Sequence, residues 1–252
     1  MSPAADKNDL IEKAGFREYF QAETWADYNR QFFNGLASKY DALNQVLTFG
    51  LQNRYKSRAV RRSGIQPGDL VLDICTGTGD IAFLITKHIE RTTVVGVDVA
   101  ERMLEVARRR AAGAAQVEFR QGDALELPFE NGSVDAAFMS YGLRNLADFR
   151  RGIDEMKRVV KPGGTINLID LGKPRGPFRK FFYRIYFENI LPFMGKYFFH
   201  RGEFNSFRYL PESNKSFPSP EELAAFLREC GLRDIYVYSY MGGAVMQLVA
   251  HT

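Results

Sequence analysis

Leu70-Val71-Leu72-Asp73-Ile74-Cys75 is a short apolar run that ends in Thr76-Gly77-Thr78-Gly79, and Ile81 to Ile89 then carries apolar residues at helical spacing. A strand that runs straight into a glycine turn and a helix finds its parallel neighbour only through that helix, so the pattern demands a βαβ unit. The pattern recurs along the chain. Thr93-Val94-Val95-Gly96-Val97-Asp98 reads as a second strand ending in an acid, and Glu101 to Ala111 as a helix. Val117 to Phe119 reads as a third strand and Val134 to Ser140 as a fourth. Phe149 to Val160 is an amphipathic helix closed by Lys161-Pro162-Gly163-Gly164, before a fifth strand over Thr165 to Asp170. Ser219-Pro220-Glu221-Glu222 has the form of a capping box and opens a helix that Gly231 closes. Two strand-like runs, Ile235 to Tyr240 and Ala244 to Ala250, follow as an antiparallel edge. The expected class is α/β, with a mostly parallel sheet and an antiparallel C-terminal edge.

Two regions stand outside this alternation. Residues 1–64 place Phe32, Phe33, Leu36, Tyr40, Leu43, Val46 and Leu47 at helical spacing and read as an N-terminal helical cap on a main domain over 65–252. An aromatic and basic insertion occupies about 174–210. Between Phe178 and Tyr209 there are 13 aromatics in 32 positions, and residues 175–208 hold seven Lys or Arg against Glu188 and Glu203.

The chain has 252 residues, a formal charge of +4 and only Cys75 and Cys230, so a disulfide framework is excluded and a reducing compartment expected. No apolar run approaches the roughly 20 residues that span a bilayer, and Met1 to Asp9 lack an apolar signal core. The expectation is a cytoplasmic protein. No metal-ligand spacing is present; His88 reads as a surface residue, and His200 and His251 have no evident partners.

Gly77-Thr78-Gly79-Asp80-Ile81-Ala82 matches G-x-G-x-x-A, with Asp98 21 residues beyond Gly77, so glycine spacing alone admits a nicotinamide or flavin cofactor and an oxidoreductase. The charges favour another ligand. Asp73 and Asp80 flank the turn, where carboxylates beside a pyrophosphate would be costly. S-adenosylmethionine carries an ammonium and a sulfonium, which acids suit, and a carboxylate, which backbone N–H groups at a helix start accept. Asp98 is placed to accept from both ribose hydroxyls. Gly122-Asp123-Ala124 follows the third strand, where Asp123 can accept from an adenine amine.

The stretch Val71 to Asp80 resembles the first motif of class I S-adenosylmethionine-dependent methyltransferases. More narrowly, Ala37-Ser38-Lys39-Tyr40-Asp41-Ala42-Leu43-Asn44, Tyr141-Gly142-Leu143-Arg144-Asn145, Lys161-Pro162-Gly163-Gly164 and Phe207-Arg208-Tyr209-Leu210-Pro211-Glu212-Ser213 resemble the ubiquinone/menaquinone biosynthesis C-methyltransferases, over roughly residues 30–250. The chain departs from that pattern in its Cys-Thr-Gly-Thr-Gly turn, in Tyr55 where Trp is common, and in its ending, Val245 to Thr252. The resemblance implies a Rossmann-like class I methyltransferase fold, S-adenosylmethionine as cofactor, and C-methylation of a prenylated quinol ring, a demethylmenaquinol or a related benzoquinol. It implies that Thr78, Asp98, Asp123, Ala124 and Ser140 contact the cofactor; Asp73, Gly77 and Gly79 join them through the turn.

In that reaction a ring carbon ortho to a phenolate attacks the methyl group, and the protein aligns the reactants and holds the oxygen. Arg144 and Asn145, past the fourth strand, are the candidates for holding it. Arg144 is never a free base and acts by stabilising phenolate or polarising a water. The plainer reading pairs Arg144 with Asp148 at a helix start. Tyr40 and Asp41 are candidates as lid contact or proton acceptor, against a plainer reading of Tyr40 as core. The insertion can line an apolar tunnel while Arg179, Lys180 and Arg184 rest on anionic lipid at the inner face of the cytoplasmic membrane, or it can pack on the sheet, or serve a homodimer. No nucleic-acid motif is present, so an RNA methyltransferase ranks below a small-molecule one. A methyltransferase acting on another small molecule and a non-catalytic S-adenosylmethionine-binding module remain alternatives.

Overall fold

The computed structural model describes residues 24–190, 193, 214 and 217–252. Among the described residues three helices come first, α1 (Trp25–Leu36), α2 (Tyr40–Leu47) and α3 (Gln52–Arg61). The alternating part follows as β1 (Leu70–Ile74), α4 (Asp80–His88), β2 (Thr93–Asp98), α5 (Glu101–Arg110), β3 (Val117–Gln121), β4 (Val134–Ser140), α6 (Phe149–Val159) and β5 (Val160–Leu171). The chain continues through α7 (Pro177–Ile185), and the C-terminal part is α8 (Pro220–Glu229), β6 (Arg233–Tyr240) and β7 (Val245–His251). The strands form one sheet in the order β3-β2-β1-β4-β5-β7-β6. All pairs from β3 to β5 are parallel, and β7 pairs antiparallel with β5 and with β6. The expected architecture, including its antiparallel edge, is the one observed.

The central strands are buried on both faces, which is why they read as near-continuous apolar runs. Leu72 and Ile74 of β1 join Val95, Val97, Ala137 and Met139 in one core, whereas Val71 joins Val94, Ala136 and Phe138 in the other. The second core also contains Tyr55, Ala59 and Val60 of α3. Helix α3 is thus continuous with the sheet's packing. A polar pin adds to this contact. Gln247 Nε2 donates to the Ala59 carbonyl at 2.9 Å, Tyr240 donates to Gln247 Oε1 at 2.6 Å, and Asn167 donates to the Ser63 carbonyl at 3.0 Å. Asn167 and Gln247 are fully buried, and their partners offset the cost of desolvating them.

One boundary differs from the sequence expectation. Lys161-Pro162-Gly163-Gly164 does not separate helix from strand but lies inside β5. Val134 pairs with Val160 and the next register is Ala136 with Thr165, so extra residues bulge from β5. Gly163, at φ +79°, supplies the left-handed backbone that this bulge requires. The capping box at Ser219 and Glu222 is present in full. His200, Tyr209 and the segment Phe207 to Ser213 lie outside the described residues.

Gln247→Leu should remove the polar pin without changing side-chain bulk much. An unsatisfied Tyr240 hydroxyl and Asn167 amide predict a loss of about 1–3 kcal/mol in urea-induced unfolding, with the fold retained.

Candidate functional site

The carboxyl ends of β1, β2, β3 and β4 open onto a cleft of about 790 Å³, the position at which open parallel sheets bind ligands. Gly77 lines it from the turn after β1, Asp98 from the end of β2, Asp123 from the loop after β3, and Ser140 from the end of β4. Ala26, Asn29, Phe33 and Tyr40 cover it from the N-terminal helices. The turn is built tightly. Gly77 and Gly79 have φ +57° and +86°, and a Cβ at Gly79 would lie 2.6 Å from the Phe119 ring. Cys75 and Tyr141 adopt φ +56° and +58° where β1 and β4 end side by side, a conformation that is strained for residues other than glycine.

Asp98 is the organising group of this cleft. Its carboxylate accepts the Gly77 N–H at 2.8 Å and the Ala100 N–H at 2.9 Å, so it ties the turn after β1 to the start of α5. Burial pushes its pKa above the ordinary carboxylate value, against those backbone donors. Asp123 accepts the Leu125 N–H at 2.8 Å. The Ser140 hydroxyl oxygen is buried with no partner among the described residues. No Lys or Arg of the described residues lines the cleft. Two acids and an unanswered hydroxyl, with no basic group, fit S-adenosylmethionine and repel a pyrophosphate.

The acids on which the sequence argument rested are placed elsewhere. Asp73 lies beneath the turn, accepting the Thr76 hydroxyl at 2.6 Å and the Ala82 N–H, and burial raises its pKa to about 7. Asp80 is neutralised by Lys56 at 3.0 Å and Arg110 at 2.8 Å, and these cations hold its pKa below the ordinary value against burial. Thr78 is buried behind the turn and donates to Asp41 at 2.6 Å, and Asp41 also accepts from Arg110 at 3.1 Å. Thr78, Asp41, Asp73, Gly79 and Ala124 line neither this cleft nor the neighbouring cavity. Thr78 and Asp41 are turned toward each other, Asp73 is turned to Thr76 beneath the turn, and Ala124 belongs to the core that holds Leu72 and Leu127.

The neighbouring cavity, about 950 Å³, lies between α1, α2, α3 and the ends of β4, β5 and β7. Its wall is apolar, with Phe32, Leu36, Leu43 and Leu171, and it shares Phe33, Tyr40 and Tyr141 with the cofactor cleft. Arg144 lines it from the turn after β4. Its guanidinium donates to Asp170 at 2.7 Å and to the Tyr141 carbonyl at 3.1 Å, and it lies 5.2 Å from the Tyr141 ring centre. The plainer alternative, a pairing of Arg144 with Asp148, does not form. Asp148 instead caps α6 by accepting the Arg151 N–H at 3.0 Å. Asn145 lines the cofactor cleft, and its amide donates to the Tyr141 carbonyl at 2.9 Å. The Asn145 carbonyl accepts from Trp25 at 2.8 Å and so anchors α1. Tyr40 divides the two spaces, and burial pushes its phenol above the ordinary value. It is a neutral hydrogen-bonding group at neutral pH.

Sequence reasoning missed Asp170, Lys56 and the Tyr55–Tyr141 pair. Asp170 alone left a signal, an acid inside the apolar run Ile166 to Leu171.

The chain's residues 22–251 match the model of the ubiE/COQ5 methyltransferase family. The chain belongs to that family. It is 37% identical over 230 residues to a demethylmenaquinone methyltransferase of Desulfitobacterium hafniense, covering 90% of each chain. It is 38% identical over 218 residues to one of Thermus thermophilus, covering 86% of this chain and 98% of the relative. The fold matches a SAM-dependent methyltransferase of Aquifex aeolicus at a TM-score of 0.57 and 22% identity, over 77% of this chain and 88% of that one. It also matches phosphoethanolamine N-methyltransferase 2 of Haemonchus contortus, solved with S-adenosyl-L-methionine, at a TM-score of 0.59 and 18% identity, over 81% and 53%. The methyltransferase resemblance read from the motifs holds. The chain is a methyltransferase, with S-adenosylmethionine as its cofactor.

Asp73 makes stability depend on pH. Its pKa rises from 3.8 in the unfolded chain to about 7 in the folded one, so the folded state binds the proton more tightly across that interval. Unfolding there releases a proton, and this group's contribution is fully present below about pH 4 and lost as pH rises through about 7. Asp73→Asn keeps an acceptor for Thr76 and removes the titration. The unfolding free energy of the natural chain relative to Asp73→Asn should fall by a few kcal/mol from about pH 5 to about pH 7.5, and parallel profiles would contradict the assignment.

Proposed function

We propose that this chain transfers a methyl group from S-adenosylmethionine to a ring carbon of a prenylated naphthoquinol, the reduced demethylmenaquinone for which its relatives are named. The observation that carries the reading is the largely apolar cavity that holds Arg144 and abuts the cofactor cleft across Tyr40 and Tyr141. The cofactor supplies the methyl group as an electrophile on sulfur. Asp98 is suited to accept from its ribose and Asp123 from its adenine amine, while Ser140 and the backbone near Gly77 offer further contacts. In the neighbouring cavity Arg144, oriented by Asp170, presents fixed positive charge where a phenolate develops. That charge lowers the pKa of the quinol hydroxyl beside it, whose proton leaves to water; the ortho carbon would then bond to the methyl group as the S–CH3 bond breaks, and the ring C–H proton is lost to water as the ring regains aromaticity. Tyr40, Tyr55 and Tyr141 are all held protonated by burial and act as donors, not bases. Asn145 locks the turn that carries Arg144.

A prenyl tail needs a route to lipid. Among the described residues no helix is long and apolar enough to cross a membrane. α7 instead exposes Phe178, Phe181 and Phe182 at 73%, 59% and 53%, beside Arg179, Lys180 and Arg184. Residues 172–187 contain no acid. Tyr186, which follows α7, donates to the Leu47 carbonyl at 2.5 Å and lines the acceptor cavity, and exposed Phe49 lies 6.1 Å from its ring. An aromatic, basic helix beside the cavity supports peripheral contact with an anionic bilayer.

Labelled S-adenosylmethionine should label reduced demethylnaphthoquinol and leave the oxidised quinone unlabelled. Label on a benzoquinol alone would move the substrate class, and none on any quinol with cofactor bound would end this reading. Arg144→Lys should lower turnover about 10²-fold with cofactor affinity kept, because a point charge replaces a planar fork. Replacing Arg179, Lys180 and Arg184 by Gln should weaken binding to vesicles containing phosphatidylglycerol by about 3 kcal/mol at low salt, about 1 for each charge. Unchanged vesicle binding, or loss of a dimer instead, would assign this helix to protein contact.

A further inference from the structure

Tyr55 and Tyr141 reach the acceptor cavity from opposite sides and meet hydroxyl to hydroxyl at 2.7 Å. Tyr55 comes from α3, where it packs against Tyr240 with ring centres 6.1 Å apart. Tyr141 is held more rigidly. Its N–H donates to the Ile169 carbonyl at 2.7 Å, its carbonyl accepts from Arg144 and Asn145, and its φ is +58°. Such over-determination keeps a strained residue in place and is a usual mark of a functional position.

The pair is unusual in what it leaves over. Each hydroxyl has one donor and two acceptor sites, and the mutual bond uses one proton and one lone pair. One O–H and three lone pairs remain, and no other protein group among the described residues bonds either hydroxyl. In an apolar wall those sites are best met by a group that both donates and accepts. A hydroxyl does so, closing a ring of three O–H bonds with the two tyrosines. A carbonyl only accepts, and leaves the tyrosine acceptor sites unanswered.

Taking the acceptor as a quinol, as proposed above, we infer that Tyr55 and Tyr141 bind the ring hydroxyl that stays protonated while the other oxygen ionises beside Arg144. A quinol has two ring oxygens, and among the polar groups that line the cavity Arg144 and the tyrosine pair differ in character. The Arg144 station favours an anion. The tyrosine station favours a neutral hydroxyl, because burial keeps both phenols protonated and unable to take its proton. The pair therefore selects the reduced acceptor over its oxidised form at the binding step, before any chemistry.

The test measures binding of a short-chain 2-prenyl-1,4-naphthoquinone, reduced and oxidised, to the full chain with S-adenosylhomocysteine present so that no turnover occurs. Quenching of Trp25, the chain's single tryptophan, reports occupancy. Tyr55→Phe and Tyr141→Phe should each weaken quinol binding about three- to tenfold and quinone binding by less than about twofold. The double variant should be little worse than either single one, since each opens the same ring of bonds. In turnover the loss should appear in KM more than in kcat. Equal weakening of quinol and quinone, or no change in either, would overturn the inference and leave the pair as packing. A wild-type chain that methylates no quinol would instead remove the reading beneath it, an outcome separate from variants that bind like wild type while the wild type turns over.

Discussion

Arg144 and Asp170, with side chains only 6% and 2% exposed, lie 2.7 Å apart at the carboxyl ends of neighbouring strands, and neither charge is tolerable there alone. A buried pair adds little net stability over apolar packing, but removing one member strands the other. Its contribution here is geometric. Asp170 sits in β5, and Arg144 in the turn after β4, so the pair fixes how that turn leaves the sheet. The same turn carries Tyr141 into the wall between the two cavities, and Asn145 onto the anchor for Trp25 of α1. Cofactor cleft, acceptor cavity and helical roof all meet at this point.

The two cavities are electrically unlike, and that difference divides the labour. Asp98 and Asp123 line the cofactor cleft, which has no lysine or arginine among its described lining residues, and that suits a sulfonium and an ammonium. The acceptor cavity is mostly apolar and carries the Arg144 guanidinium, with Lys56 also on its wall, which suits a ring whose oxygen becomes negative only as the reaction begins. Asp73 and Asp80, whose charge in the sequence pointed to this cofactor class, are internal supports. Asp73 satisfies Thr76 and the start of α4, and Asp80 is cancelled by Lys56 and Arg110. The conclusion survives because Asp98 and Asp123 carry the same sign into the cleft.

The sheet was legible because its strands have no choice. Runs such as Val134 to Ser140 and Thr93 to Asp98, buried on both faces, are too apolar to be anything but central, and their observed bounds match the reading. Where a glycine permits an unusual backbone the reading failed, as at Gly163, because a bulge and a loop share the same local chemistry. At the site, positions on strand ends were legible: Gly77, Asp98, Asp123 and Ser140 point where such a sheet places them. Thr78 and Asp41 were not, since one residue's rotation about a helix start decides whether a side chain enters the cleft or leaves it. Long-range pairs were least legible. Nothing local to Tyr55 announces Tyr141, 86 residues away, and nothing local to Arg144 prefers Asp170 over Asp148.

The displaced residues still bear on the site. Thr78 donates to Asp41, and Arg110 bridges Asp41, Asp80 and the Thr78 carbonyl. Most of this cluster is partly exposed, so it adds little stability. Its geometry matters more. Asp41 is the second residue of α2, and its neighbour Tyr40 divides cofactor cleft from acceptor cavity. A latch on the back of the glycine turn therefore sets the height of the wall on its front. The Thr78–Asp41 bond thus ties the back of the glycine turn to the helix whose first residue, Tyr40, stands between cofactor cleft and acceptor cavity.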